Sequence, residues 1–332
     1  MKKMIVVFLL IGLIFTGCGG QNTSQSTDNN NELEKITVVL DWVPNTNHTG
    51  LYVAKDLGYY EEVGLDVEII QPTEGGSADL IASGQGEFGI SYQEQLTFAR
   101  TSENPLPIKA IGAIIQHNTS GFAAVSDKNI KTPKDFEGKT YGGWGSPMEI
   151  AMLKAVMEND GGDFEKLEIT DIGAVDFFQA SEDHIDFAWI YYGWDGVKSK
   201  LLNKEIDFMK LQDYDSDLDF YTPIIIAQEE YLSSNGEVAK KFMSATSKGY
   251  EYCISNPEEA VESLLKDSPE IDRELALESQ KYLANEYKAE KDRWGYMDIS
   301  IWENFSGWLY ERGLLENELD AKEAFTNEYL PE

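Results

Sequence analysis

One turn of the sequence gathers several residue types that could do chemistry. The segment LDWVPNTNHTG places an acid and an indole, Asp41 and Trp42, a few positions before Asn47 and His48. Carboxylates and imidazoles act in acid–base catalysis and bind metal ions, and an indole can cover a flat ring. The turn could therefore be catalytic, bind a metal ion or hold a small ligand. Asn47 could equally cap the helix that begins near Thr49.

The rest of the sequence gives the first two alternatives no support. His48 has no nucleophile nearby, and the Gly-x-Ser-x-Gly motif of a hydrolase does not occur. His48, His117 and His184 lack the spacing of metal ligands, and Cys18 and Cys253 are too few to build a zinc site. We therefore expect no catalytic residue, no metal ion, no cofactor and no enzymatic activity. The turn is better interpreted as part of a ligand site.

A second candidate is the segment YGGWGSPMEI, where glycines lie between a strand and a helix. Ser146 suits the N-cap of that helix, Pro147 its first position, and Glu149 completes a capping box. The free backbone N–H groups of such a helix start can bind an anion or a carbonyl oxygen. We take Gly145, Ser146 and Glu149 as candidate ligand-binding residues. The alternative is a well-capped helix with nothing bound.

A third candidate is the segment DFAWIYYGWDG, which holds four aromatic rings between residues 189 and 194. Successive side chains of a strand point to opposite faces, so the four rings cannot all enter one core. Gly193 breaks the strand and leaves Tyr192, Trp194 and Asp195 near its end. Flat rings with polar groups beside them bind planar ligands. Ordinary packing is the alternative, and the sequence does not decide which rings face a ligand.

Two further polar candidates also follow strands. Tyr92 lies in SYQEQ and Asn118 lies in QHNTSG, and either could be a ligand contact or a simple turn residue. In contrast, Trp302, Phe305 and Trp308 recur at helical spacing, which is more typical of core packing.

The elements that must position these residues alternate between strand and helix. Short apolar strands with helices between them indicate parallel sheets, and two such sets predict two α/β lobes. We place the first lobe at residues 35–117 plus 224–332 and the second at 118–223, joined by two hinge crossings. Ligands of open parallel sheets bind beyond the carboxyl ends of the strands. All the candidate residues lie there, so we expect them to line a cleft between the lobes.

The first residues of the chain indicate an export signal, and we do not expect them to belong to the fold. Two lysines precede an apolar run, Met4–Phe15, which suits a signal peptide and is too short to span a bilayer. The following FTGCGG resembles a bacterial lipobox. It implies a signal peptide at 1–17, acylation of Cys18, and a location at the extracytoplasmic face of the cell membrane. Residues 18–34 are polar, and we expect a disordered tether.

The charge excludes some partners. The chain has a formal net charge of −32. Without residues 1–17 it has 25 basic and 59 acidic side chains, a net charge of −34. Such a chain does not suit nucleic acid or an anionic membrane surface, and it attracts a free anionic ligand less readily.

Several segments together resemble one family. LDWVPNTNHTGLYVAKDLGYYEEVGLDVEII, GSADLIASGQGEFGISYQEQL, YGGWGSPMEIAMLKAVM and IDFAWIYYGWDG are similar to the ThiY-like solute-binding proteins of ABC importers for thiamine pyrimidine precursors. The resemblance runs from about residue 35 to 330. It implies a type II periplasmic-binding-protein fold and a formylaminopyrimidine or hydroxymethylpyrimidine ligand. It also implies delivery of that ligand to an ABC permease and ATPase for thiamine salvage.

The same resemblance keeps other functions open. Binding proteins for riboflavin, sulfonates and nitrate share part of the pattern, and fungal pyrimidine synthases belong to the same superfamily. Those synthases use a cysteine-rich iron motif, and the corresponding region near DLDFYTP has no cysteine. For an aminopyrimidine, Trp42 and one of Tyr192 or Trp194 would stack on the ring. Asp41, Asn118 and the backbone of 145–146 would pair with its polar groups as the lobes close.

Overall fold

A computed structural model describes residues 33–72, 76–173 and 175–332. The predicted signal peptide, the acylated Cys18 and the tether up to residue 32 lie outside the described residues. Glu34, which we assigned to the tether, is instead the first residue of a strand, because its N–H donates to the carbonyl oxygen of Gly64. No helix in the described part of the chain is long and apolar enough to cross a membrane.

The described residues form ten strands. They are β1 Glu34–Val39, β2 Leu65–Ile70, β3 Phe88–Ser91, β4 Ile108–Ala113, β5 Ser120–Val125, β6 Thr140–Gly143, β7 Glu168–Asp171, β8 Phe187–Tyr191, β9 Ile206–Lys210 and β10 Ile224–Gln228.

The same residues form fourteen α-helices. They are α1 Thr49–Asp56, α2 Tyr59–Glu62, α3 Gly76–Ala82, α4 Gln93–Thr101, α5 Pro147–Asn159, α6 Phe177–Asp183, α7 Val197–Leu201, α8 Leu211–Tyr214, α9 Glu229–Ser234, α10 Gly236–Ser255, α11 Pro257–Asp267, α12 Arg273–Glu286, α13 Ile299–Glu311 and α14 Ala321–Ala324.

The strands make two five-stranded sheets. The first has the order β2-β1-β3-β10-β4, with β1 parallel to β2 and β3 and with β10 antiparallel to its neighbours. The second has the order β7-β6-β8-β5-β9, with β6 parallel to β7 and β8 and with β5 antiparallel to β8 and β9. The predicted α/β fold with two sheets is confirmed, but both sheets are mixed, whereas the sequence pattern predicted parallel sheets. The lobe limits given above remain a prediction.

The chain passes between the sheets twice, once after β4 and once before β10. These passages are residues 114–119 and 211–223. Helix α13 contacts the cores of both sheets. Its Trp302 packs with the first sheet, whereas Phe305 and Trp308 pack with the second. The predicted burial of these three rings is confirmed.

Close packing fixes the helix that follows the Asp41 turn. Helix α1 crosses α10 at two glycines, where a Cβ on Gly249 would lie 2.0 Å from the carbonyl oxygen of Gly50. Next to this crossing, the hydroxyl of Tyr250 donates to the carbonyl oxygen of Asn47 at 2.7 Å. The start of α1 is therefore held against the core, and the turn that precedes it has little freedom to move.

Candidate functional site

Side chains from the two sheets come together at the carboxyl ends of their parallel strands. Tyr92 follows β3 in the first sheet and Tyr191 ends β8 in the second, and the proximity of Tyr191 contributes to raising the pKa of Tyr92, which burial raises most. The charges of Glu94 and Asp41 also act on Tyr191, and its hydroxyl interacts with Thr222 of the second crossing. The residues predicted to line a cleft thus meet residues that the sequence did not single out.

Asp41 is held by an imidazole. His48 is fully buried, and its Nε2 lies 2.6 Å from Oδ1 of Asp41. The Nδ1 of His48 accepts the N–H of Asn45 at 3.2 Å, so the ring donates to Asp41 through Nε2–H. Burial alone would raise the pKa of the Asp41 carboxyl, but the interactions with His48 and Tyr92 hold that pKa below its usual range. Asp41 is therefore an ionised acceptor whose direction is fixed.

Among the remaining residues of this turn, Asn45 and Asn47 stabilise the turn, whereas Trp42 is exposed. Asn45 caps the short 3-10 helix 46–48 by accepting the N–H of Asn47 at 2.9 Å, so Asn47 also serves the local turn. Trp42, in contrast, is 58% exposed. It borders a cavity of about 290 Å³, which is lined by Asp41, Trp42, Val43, Gln71, Pro72 and Gly76.

The helix start at Ser146 has the predicted capping box. The Oγ of Ser146 accepts the N–H of Glu149 at 3.2 Å, and the Glu149 carboxylate accepts the N–H of Ser146 at 2.9 Å. The same carboxylate accepts the Tyr141 hydroxyl at 2.7 Å and the N–H of Trp144 at 3.3 Å. Glu149 is fully buried, so its charge holds the loop in place. Gly145, with φ of 73°, supplies the left-handed turn.

This loop presents an aromatic residue that the sequence analysis did not select. Trp144 is 52% exposed, and its ring stacks on Trp189 with centroids 5.6 Å apart. Trp189 in turn lies 6.0 Å from the ring of Tyr191, which is 37% exposed. Trp189 and Tyr191 share one face of β8 because they are two residues apart. Only the position of Trp144 after two glycines gave a signal for it in the sequence.

The three candidate residues after β8, Tyr192, Trp194 and Asp195, lie in different environments. The ring of Tyr192 packs between Phe208 and Tyr282, with centroid distances of 4.9 and 5.3 Å, so the structure does not bring it to the Trp144 side. Trp194 is partly buried in the turn 192–196. Burial, with the charge of Asp176, raises the pKa of Asp195 to about 6. Stacking on a ligand by Tyr192 or Trp194 remains a prediction.

Asn118 has a structural role in the first crossing. It is fully buried, its Nδ2 donates to the carbonyl oxygen of Leu218 at 2.8 Å, and its Oδ1 accepts both the N–H and the hydroxyl of Ser120. The side chain therefore joins the two crossings, and contact of Asn118 with a ligand remains a prediction.

Glu94, at the start of α4, is the second residue that sequence reasoning missed. Burial, and after it the negative charge of Glu149, raises the pKa of its carboxyl group to about 7. Within the part of the chain that the structure describes, we find no hydrogen-bond donor and no cation paired with it. It lies near Tyr92 and Tyr191, on which its charge acts. A single glutamate in a polar run carries no signal that would have identified it.

A family model described as "NMT1/THI5 like" matches residues 45–260 of this chain. The chain belongs to the NMT1/THI5-like family. The match includes the turn after Trp42, the Ser146 helix start and the aromatic segment of β8.

Two relatives cover nearly the whole length of this NMT1/THI5-like chain. A formylaminopyrimidine-binding protein of Halalkalibacterium halodurans is 30% identical over 98% of this chain and 99% of its own. A riboflavin-binding protein, RibY, of Chloroflexus aurantiacus is 24% identical over 99% and 98% of the two chains. Relatives at 22–23% identity include 4-amino-5-hydroxymethyl-2-methylpyrimidine phosphate synthases.

The fold is also that of known binding proteins. The periplasmic aliphatic sulphonate binding protein SsuA from Escherichia coli superposes with a TM-score of 0.68 at 14% identity, covering 90% of this chain and 94% of its own. The predicted type II periplasmic-binding-protein fold is therefore confirmed for this member of the family. At this identity the likeness concerns the fold alone.

Proposed function

We propose that this protein is an extracytoplasmic solute-binding protein that captures an aminopyrimidine precursor of thiamine, of the formylaminopyrimidine or hydroxymethylpyrimidine type. The observation that carries the proposal is the composition of the cleft. Both sheets contribute an exposed indole, Trp42 and Trp144, and Trp42 lines a cavity together with the acidic acceptor Asp41. The formylaminopyrimidine-binding relative, which this chain matches over its length, supports the same ligand class.

The chemistry of an aminopyrimidine suits such a cleft. The ring is flat and apolar on both faces, so indoles can cover it, as aromatic residues cover bases. Its exocyclic amino group donates two hydrogen bonds, which ionised carboxylates accept strongly. Asp41 already accepts from His48 through one oxygen, which leaves its other lone pairs for a ligand. Nitrate and sulfonates offer no such donors and would meet the same negative groups.

The remaining parts of the proposal concern location and partners. An acylated Cys18 would keep the protein at the outer face of the cell membrane, and an ABC permease with its ATPase would take the ligand for thiamine salvage. Closure of the two sheets about the crossings would enclose the ligand between Trp42 and the Trp144 loop. The hydrogen bonds of Asn118 across the crossings give such a hinge a defined resting position.

Calorimetry with purified protein tests the ligand class. We expect heat and a single binding site with formylaminopyrimidine or 4-amino-5-hydroxymethyl-2-methylpyrimidine, and none with an alkanesulfonate or nitrate. Tight binding of riboflavin without binding of either pyrimidine would overturn the proposal in favour of the alternative seen in the RibY relative. Mass spectrometry of the ligand recovered after incubation should show it unchanged, whereas a converted product would indicate an enzyme.

A further inference from the structure

Helix α12 contacts a turn from each sheet, and two buried hydrogen bonds join those turns through it. Thr46 lies in the turn between β1 and α1, and Gly193 lies in the turn 192–196 that follows β8. Between them, the hydroxyl oxygen of Ser279 on α12 lies 2.6 Å from that of Thr46, and the Ser279 hydroxyl donates to the carbonyl oxygen of Gly193. One serine is therefore the shared partner of both turns.

The direction of these two hydrogen bonds is fixed. The single hydrogen of the Ser279 hydroxyl goes to Gly193, so Ser279 accepts from Thr46 and the Thr46 hydroxyl is the donor. Ser279 is fully buried and Thr46 is 2% exposed, so water does not reach either hydroxyl. Removal of one hydroxyl therefore leaves a buried polar group without its partner.

Further contacts hold both turns against the same helix. The hydroxyl of Tyr287, directly after α12, donates to the carbonyl oxygen of Thr46 at 2.6 Å. On the other side of the helix start, a Cβ on Gly193 would lie 3.1 Å from the side chain of Leu283, so glycine allows the backbone of this turn to rest on α12. Helix α12 is thus a common support for the two turns.

Each of the two turns also carries candidate ligand residues. The first contains His48, whose Nε2 fixes the direction of the Asp41 carboxylate. In the second, Gly193 is followed directly by Trp194 and Asp195. The spacing between these two groups of residues depends on α12, which contacts both turns. A ligand that both turns hold loses less free energy to ordering them when their spacing is fixed before it binds.

Resting on the proposed function, we propose that Ser279 is a positioning residue that sets the spacing between the Asp41 turn and the turn 192–196, and thereby the affinity for the aminopyrimidine. Ser279 acts through Thr46 and Gly193 and does not itself contact the ligand. Without its hydroxyl, each turn stays attached to its own sheet, but their relative position is less restricted. The ligand must then order the two turns as it binds, and its affinity falls.

Substitutions at Ser279 and Thr46 separate this positioning from packing. Ser279→Ala breaks both hydrogen bonds, and its affinity for the pyrimidine should fall roughly 5- to 50-fold. Thr46→Val keeps the shape of the side chain without the hydroxyl, and its affinity should fall roughly 2- to 10-fold. Thr46→Ser keeps the hydroxyl and should bind like the wild type. The double variant Thr46→Val with Ser279→Ala should bind no more weakly than Ser279→Ala, because one missing hydrogen bond already separates the turns.

Ser263→Ala is the matched control. Ser263 lies on the neighbouring helix α11, is 6% exposed, and donates its hydroxyl to Asp56 at 3.0 Å. Asp56 ends α1, so this hydrogen bond lies at the opposite end of that helix from the Thr46 turn. The control also loses a buried hydrogen bond, so its free energy of unfolding should fall while its affinity for the pyrimidine stays that of the wild type.

Calorimetry with 4-amino-5-hydroxymethyl-2-methylpyrimidine measures the affinity, and urea unfolding measures the stability of each protein. A loss of affinity in Ser279→Ala and Thr46→Val, absent in Thr46→Ser and Ser263→Ala, supports the proposal. Wild-type affinity in either Ser279→Ala or Thr46→Val, with stability alone reduced, overturns it while the proposed function stands. If Ser279→Ala does not fold, the two Thr46 variants decide in the same way. If the wild type binds no pyrimidine, the proposed function fails and this inference fails with it.

Discussion

Two acids lie at the same edge of the first sheet, and the pKa values of their carboxyl groups are shifted in opposite directions. Asp41 follows β1 and has a buried imidazole 2.6 Å away, and the pKa of its carboxyl is lowered. Glu94 begins α4 after β3, faces the negative charge of Glu149, and has its pKa raised to about 7. Desolvation opposes ionisation at both positions, so the presence or absence of a partner decides the direction of the shift.

The difference separates an acid whose direction is fixed by a donor of the protein from an acid that has no such donor among the described residues. An acid with an internal donor is a fixed part of the fold and contributes to its stability. An acid that is withdrawn from water without a donor costs stability, and such groups are enriched at functional sites. Two kinds of variant test this difference. One removes the partner of Asp41, and the other removes the charge of Glu94.

Removal of the Asp41 partner should have the largest effect. In His48→Leu the carboxylate of Asp41 stays buried without its donor, and we expect the free energy of unfolding at pH 7 to fall by about 3–5 kcal/mol. The depressed pKa means that the stabilisation by Asp41 is present above its unfolded pKa and is lost as pH falls through the folded value. The loss caused by the variant, measured by urea unfolding, should therefore shrink toward pH 3.

Two further variants control this measurement. His184→Leu changes an exposed histidine and should alter the free energy of unfolding by no more than about 0.5 kcal/mol. The double variant Asp41→Asn with His48→Leu removes the buried charge as well, and it should be more stable than His48→Leu alone. If the double variant is as unstable as the single one, the cost comes from packing and the pairing of Asp41 with His48 carries little energy.

Removal of the Glu94 charge should act in the opposite direction. Its folded pKa is about 7, above the unfolded value, so ionisation costs stability as pH rises through this range. Without ligand, Glu94→Gln should be more stable than the wild type at pH 8 by roughly 1–3 kcal/mol, and the gain should vanish near pH 4. Thermal unfolding across this pH range measures the effect, with Glu103→Gln, an exposed change just beyond α4, as the matched variant. An equal or lower stability at pH 8 would mean that Glu94 has a partner in solution.

Part of this site could be predicted from the sequence because it depends on residues that are close to one another in the chain. The strand before Asp41, the helix start at Ser146 and the strand break at Gly193 follow from hydrophobic pattern, capping chemistry and glycine. These features need only neighbouring residues. The alternation of strands and helices likewise predicted two sheets and a cleft between them.

The parts that could not be predicted depend on contacts between the sheets. Glu94 acquires its environment from Glu149, which belongs to the other sheet, and no local pattern relates them. The choice among the rings of β8 depends on register, since Tyr191 shares the face of Trp189 while Tyr192 turns toward Tyr282. The sequence also could not show that the two crossings touch, so the hydrogen bond from Asn118 to the carbonyl oxygen of Leu218 was not predicted.

The smallest expected effect on stability concerns the exposed ring of Trp42, next to Asp41. Trp42→Ala should weaken binding of 4-amino-5-hydroxymethyl-2-methylpyrimidine by about 1–3 kcal/mol, by analogy with aromatic stacking on bases, and leave the free energy of unfolding nearly unchanged because the ring is 58% exposed. Tyr310→Ala, an exposed aromatic residue on α13, should change neither. Calorimetry and urea unfolding of both variants compare the two rings. Unchanged affinity in Trp42→Ala would remove this indole from the site and leave the Trp144 side to cover the ligand, whereas a loss of stability would mean that Trp42, like Asp41, serves the fold.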